Sequence, residues 1–415
     1  MVTLSGLRFY LFGILLSISL IAYSSPTIAS AFDDSTIQLF RPFVGLSRNL
    51  GILLLVVSLL SGPFLALQKN ISFLNNSRLL FLVCSLLAFR TLIGPLLRDS
   101  WSSADFVDVT VWLSIYFFLS FLRFCFKQDF LQSIIFIKKA ILQFISLFLY
   151  TTFFLYILAP QVLVVEGRRF FGIFAHPNFA GVTYALFSVI ILQELLYKLR
   201  FSSFKIVSFR SFLYLIPASF SLYFIFLTGS RTSFVSLVIA LFFLNFKPKR
   251  LLFLVFLILV FYFLFFGSAL FQNSSEPNDL YRTFSLYDTR SYAWLHLFQV
   301  GVDNFFLGVD NPGFSENSLL YLFAHGGILG FFALFIPVTL ILFLSFSPMN
   351  YQYVQRLFFG FSPLCVIFVS SFFEGSLAKD LLSYPILIFM IYISLFDYGR
   401  TPSVSRLFAL TKSTA

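Results

Sequence analysis

The chain has 415 residues, 59% of them hydrophobic and only 11% charged, and Phe alone accounts for 64. Soluble globular proteins carry roughly 25% charged residues, so this composition excludes an ordinary soluble domain and makes lipid the implied solvent. The net charge of +11 would point to nucleic acid in a soluble protein; here the charges follow membrane topology, and no nucleic-acid partner is expected.

No polar stretch is long enough for a second domain, so residues 1–415 read as a single membrane domain. A span needs about 20 mostly apolar residues. Such runs predict spans at 8–31, 49–67, 78–97, 105–125, 140–161, 177–197, 211–228, 231–246, 251–271, 317–346, 357–373 and 381–398. The fold class is therefore an all-α polytopic membrane protein with about 12 transmembrane helices. The first run follows Arg8 and ends near Ala29-Ser30-Ala31, which resembles a cleavable signal peptide. It is read as an uncleaved span, because its removal would spoil the charge asymmetry. Arg90 lies within the third span, where an arginine normally faces the protein interior and a partner.

With the N-terminus inside, alternation puts 18 of the 28 basic residues in inside segments and only three acids there: Asp129, Glu194 and Asp397. This is the positive-inside pattern, and it places both termini in the cytoplasm. The inside basic residues include Lys127, Lys138 and Lys139, taken as a loop between the fourth and fifth spans. The longest loop, 272–316, falls outside the membrane. Its middle, 288–303, reads as an interfacial helix, with Tyr292, His296, Gln299 and Asp303 at spacings that share one face.

Four polar clusters remain once topology-setting residues are removed, and all four fall at the outer face. The first runs from Glu166 through Arg168 and Arg169 to His176-Pro177-Asn178. Pro177 fits the first turn of the sixth span. Paired arginine forks match phosphate oxygens and could grip a diphosphate; equally, they read as interfacial arginines beside a helix cap. The second is Thr228-Gly229-Ser230-Arg231-Thr232-Ser233. Gly229 ends one helix and Ser230 caps the next, giving either an anion site at a helix N-terminus or a plain capped turn. The third joins Arg290-Ser291 and Trp294 to Asn304-Phe-Phe-Leu-Gly308-Val-Asp310, and by itself reads as an amphipathic interfacial helix. The fourth is Glu316-Asn317, leading to Gly326-Gly327 and Gly330. Glu316 could act as a general base or simply compensate a helix N-terminus, and the glycines allow close helix packing. His325 reads as a packed or hydrogen-bonded core histidine.

Cys84, Cys125 and Cys365 lie in apolar runs and read as packing residues. The three histidines and the acids do not fall at metal-ligand spacings. No phosphate-binding glycine loop appears. No metal and no cofactor is expected.

Taken in order, these motifs resemble the O-antigen ligases and O-antigen polymerases of bacterial envelopes. Arg169-x2-Gly172-x3-His176-Pro177-Asn178 is similar to the family's Arg, Gly and His-Pro-Asn segment, and Thr228-Gly-Ser-Arg231-Thr-Ser to its Ser-Arg turn. Arg290-x3-Trp294 and Asn304-Phe-Phe-Leu-Gly308-Val resemble the run around its large outer loop. Glu316-Asn317-x9-Gly327-x2-Gly330 resembles a ligase signature that begins His-Asn, so Glu316 is a departure that tilts the reading towards polymerase. The resemblance covers roughly 165–335. It implies a metal-independent, inverting glycosyl transfer at the outer face of the bacterial cytoplasmic (inner) membrane. The implied donor is a polyprenyl diphosphate-linked glycan, and the acceptor is another glycan or lipid A-core. It also implies Arg168 or Arg169, Arg231 and Arg290 on the diphosphate, Glu316 or His176 as base, and Asn178, Ser230 and Asn317 in support. Two other functions compete: a secondary transporter of an anion or lipid-linked glycan, and a non-catalytic membrane scaffold.

Overall fold

The structure, a computed structural model, describes residues 4–23, 46, 49–60, 103–158, 163–165, 169–170, 172, 174, 177–201, 209–244, 289–309, 317–346, 358–374 and 383–399. Of Arg169, Arg231 and Arg290 only the backbone is described. The predicted spans at 78–97 and 251–271, and Arg90, lie outside these residues.

The described chain is helical apart from one short strand pair. Its elements are α1 (Leu4–Tyr23), α2 (Asn49–Leu60), α3 (Ser103–Gln128), α4 (Phe130–Leu158), β1 (Val164–Val165), β2 (Arg169–Phe170), α5 (Pro177–Phe201) and α6 (Phe209–Thr228). They continue with α7 (Arg231–Phe242), α8 (Thr289–Asp303), α9 (Ser318–Phe346), α10 (Ser362–Phe373) and α11 (Tyr384–Gly399). Two helices, α4 and the Pro177–Tyr197 part of α5, are long and apolar enough to cross a membrane.

α5 sits at the centre. Its apolar residues run round the whole helix rather than along one stripe, and a helix apolar on all sides is buried in the interior. It packs on α6, α7 and α10. Polar side chains stitch it to α6: Ser188 donates to Ser221 Oγ at 2.8 Å, and Ser221 donates to the Tyr184 carbonyl at 2.7 Å, with all three residues buried. Buried hydroxyls hold their place only when bonded in this way. An aromatic cluster closes the same region. Phe170 of β2 stacks on Phe224 of α6 at 4.8 Å and meets Tyr156 of α4 edge-on at 5.6 Å.

Two predicted elements differ. The basic segment expected as a loop before a span at 140–161 is helical, because α4 starts at Phe130. Asp129 alone interrupts the chain between α3 and α4. Its Oδ1 accepts the Gln132 N–H at 3.0 Å, an N-cap that starts α4 at once. Lys138 is then placed against α5, where it pairs with Glu194 at 2.7 Å. Such a pair removes the cost of an isolated charge inside apolar packing, so the lysine needs no loop.

The run at 317–346 was expected as one continuous span. It is broken at Gly326 and Gly327, the latter at φ +59 and ψ −155. That backbone is open to glycine and disfavoured for residues with a Cβ. The predicted helix at 288–303 is observed as α8, with Tyr292 and Gln299 exposed and His296 half-buried. The β1–β2 pair, with Val164 opposite Phe170 and Val165 opposite Arg169, was not anticipated. Strands of two residues have too little alternation to read from sequence.

Candidate functional site

The Thr228–Ser233 turn is built as its sequence implies. α6 ends at Thr228, Gly229 takes φ +58, and Ser230 caps α7. Ser230 Oγ accepts the Ser233 N–H at 3.3 Å and the Ser233 hydroxyl at 2.7 Å. Thr228 turns its hydroxyl to the Ile225 carbonyl at 2.7 Å and accepts the Ser230 N–H at 3.3 Å. Thr228, Ser230, Thr232 and Ser233 are all buried. The turn is therefore a rigid cap whose exit points Arg231 into the first position of α7.

This turn lies directly on the start of α5. A Cβ on Gly181 would come within 2.3 Å of Ser233 Oγ and 2.9 Å of both Ser230 Cβ and Thr228 Oγ1. Only glycine permits that approach. Gly181 is four residues, about one turn, beyond Pro177, so Pro177 and Asn178 at the start of α5 lie close to the Arg231 turn. Asn178 is half-buried.

A residue absent from the predicted site joins the others. Glu374 follows the last turn of α10 and is 5% exposed. Its Oε1 accepts the Thr232 hydroxyl at 3.2 Å, and its backbone carbonyl accepts the Ser318 hydroxyl at 3.0 Å. Two residues earlier, the Phe372 carbonyl accepts the Asn317 amide at 2.9 Å. Asn317 Oδ1 accepts the N–H groups of Leu319 and Leu320, each at 3.0 Å, so Asn317 caps α9. Between them, Trp294 of α8 sits 6.1 Å from Phe373, ring to ring. The Trp294 Nε1–H is buried and has no hydrogen-bond acceptor among the described residues. Buried donors are nearly always satisfied, and this one lies beside Phe373 within the cluster. The segment 372–374 thus ties together the starts of α7 and α9 and the middle of α8.

The Asn304–Gly308 run and the glycines of α9 interlock. Val309 N–H donates to the Ala324 carbonyl at 2.8 Å, and Ile328 N–H donates to the Phe305 carbonyl at 2.7 Å. Gly308, at φ +68, meets the His325 backbone, and Gly327 meets that of Phe306. His325 Nδ1 lies 2.7 Å from the Val309 carbonyl. The histidine is a hydrogen-bonded packing residue, as its sequence position implied.

Of the predicted site residues, Ser230 and Asn317 are helix caps and Asn178 lies in the first turn of α5. The backbones of Arg231 and Arg290 open α7 and α8, and that of Arg169 pairs in β2. Arg168, His176 and Glu316 lie outside the described residues. Glu374 could have been noticed from sequence as a carboxylate set directly after an apolar helix, at the end where the helix dipole disfavours negative charge. Among the described residues no group of three His, Cys, Asp or Glu is placed to hold a metal ion. No protein-family model matches this chain, and no curated protein matches it.

Proposed function

We propose that this protein is a multi-pass membrane glycosyltransferase of the O-antigen polymerase or ligase type. On this reading it spans the bacterial inner membrane about 12 times with both termini in the cytoplasm. The topology rests on the positive-inside distribution of its basic residues and on the apolar character of α4 and α5.

The observation that carries the reading is the convergence of separate polar clusters on 372–374: the turn before Arg231, the start of α9 after Glu316, and α8 with Arg290 and Trp294. In the reaction, an acceptor hydroxyl oxygen attacks the anomeric carbon of the donor glycan. The bond from that carbon to the diphosphate oxygen breaks, and the polyprenyl diphosphate leaves with the electron pair. The acceptor proton passes to Glu316 or His176. Arg168 or Arg169, Arg231 and Arg290 stabilise charge on the leaving group; such stabilisation by preorganised groups is commonly the largest part of catalysis. Lipid surrounds the spans, and α8 with the turn after it lies at the interface: Tyr292, Leu295, Phe298 and Val302 of the helix and Phe306 and Leu307 of the turn are exposed.

Loss of the gene tests the reading on a gel of surface polysaccharide. A polymerase loss leaves one repeat unit on the core, a ligase loss leaves none, and unchanged polysaccharide excludes both. The break in α9 favours a second reading, a secondary transporter, because transporters build their sites from interrupted helices. Substrate movement across vesicles without any new glycosidic bond would select it.

A further inference from the structure

Glu374 is placed where the dipole of its own helix opposes it. It is the C-cap of α10, at φ −137 and ψ 150, and a carboxylate at a helix C-terminus meets the negative end of the dipole. It is also 5% exposed, and burying a carboxylate is costly unless it is bonded. The compensation comes from two other helices. Its side chain bonds Thr232 in the first turn of α7, and its carbonyl bonds Ser318 at the start of α9. Both N-termini present positive dipole ends to the acid. Thr232 is the residue after Arg231, and Ser318 is two residues after Glu316.

We infer that Glu374 is a positioning residue that holds the start of α7, and with it Arg231, against the start of α9 for diphosphate binding. The inference rests on the proposed reading that the Arg231 turn takes a polyprenyl diphosphate. Glu374 acts through the Thr232 bond and not by touching the ligand. Its side-chain oxygen Oε1, as the acceptor of that bond, matters more than its charge, because added negative charge would oppose an anionic ligand.

The test is binding of polyprenyl diphosphate, without a glycan, to the full chain in nanodiscs. Wild type is compared with Arg231→Ala, Thr232→Val, Glu374→Met, the conservative Thr232→Ser and Glu374→Gln, and the Thr232→Val/Glu374→Met double variant. Wild type binds and Arg231→Ala loses binding. Thr232→Val and Glu374→Met each weaken binding about tenfold, the scale of one hydrogen bond to a charged group. The conservative variants, which keep donor and acceptor, bind as wild type. The double variant is no weaker than either single one, because both remove the same bond. If one disruptive variant does not accumulate, the other is read against its conservative partner. Wild-type binding by a folded Thr232→Val or Glu374→Met, with Arg231→Ala impaired, overturns the inference alone. Equal binding by wild type and Arg231→Ala overturns the diphosphate site and the inference with it.

Discussion

Gly327→Ala is expected to destabilise the fold severely. The residue sits at φ +59, and a Cβ there would lie 2.4 Å from the backbone carbon and oxygen of Phe306. With ψ −155 this conformation is nearly confined to glycine and costs another residue about 1–3 kcal/mol. Overpacking adds about 1–3 kcal/mol, and backbone is the least able neighbour to move aside. The sum is about 2–6 kcal/mol, a large part of a typical domain's stability. Gly308→Ala meets the matching obstacle, 2.4 Å from the His325 backbone at φ +68, and has the same expected cost. The two should be strongly non-additive, since either substitution already opens the same latch between the 304–309 turn and α9. The assay is unfolding in mild detergent mixed with increasing denaturing detergent, with Ser219→Ala on the exposed side of α6 as control. A Gly327→Ala protein as stable as the control would refute the interlocked geometry.

Trp294→Phe should leave stability unchanged or slightly raised, because it removes a buried N–H that has no acceptor among the described residues while keeping a ring against Phe373. On the proposed function the same change lowers glycan transfer, and lost stability with unaltered transfer would show the N–H to be purely structural. Lys138→Met should destabilise by roughly 3 kcal/mol by leaving Glu194 without its 2.7 Å partner inside the packing. The Lys138→Met/Glu194→Met pair should recover most of that loss in the same unfolding assay. Glu316→Gln separates two roles: turnover falls sharply if Glu316 is the base and stays at wild-type level if it only compensates a helix end.

The sequence carried the helical content well because long apolar runs are its strongest signal, and α5, α6 and α11 start within a few residues of their expected positions. The Gly229-Ser230 junction was legible for the same local reason: a positive-φ glycine and an N-cap serine leave a recognisable pair. The errors are tertiary. Lys138 read as loop because charge was weighed without its partner, and that partner, Glu194, lies 56 residues further on. Gly326-Gly327 read as a packing surface because the neighbour that requires a break, the turn at 304–309, is known only after folding. Glu374 was counted as one outer acid among many. Its bonds to Thr232 and Ser318 join residues 142 and 56 positions apart, which no local pattern encodes.

The most direct measurement of the central claim is glycan transfer by the purified full chain reconstituted in lipid, supplied with a polyprenyl diphosphate-linked repeat unit and no added nucleotide. The account predicts either a ladder of longer lipid-linked glycans or, with lipid A-core present, a core-linked product. It also predicts free polyprenyl diphosphate in proportion to the bonds formed, with both products lost in Arg231→Ala and Arg290→Ala proteins that still insert normally. Donor left intact with either acceptor present, or equal product from wild type and both arginine variants, would contradict it.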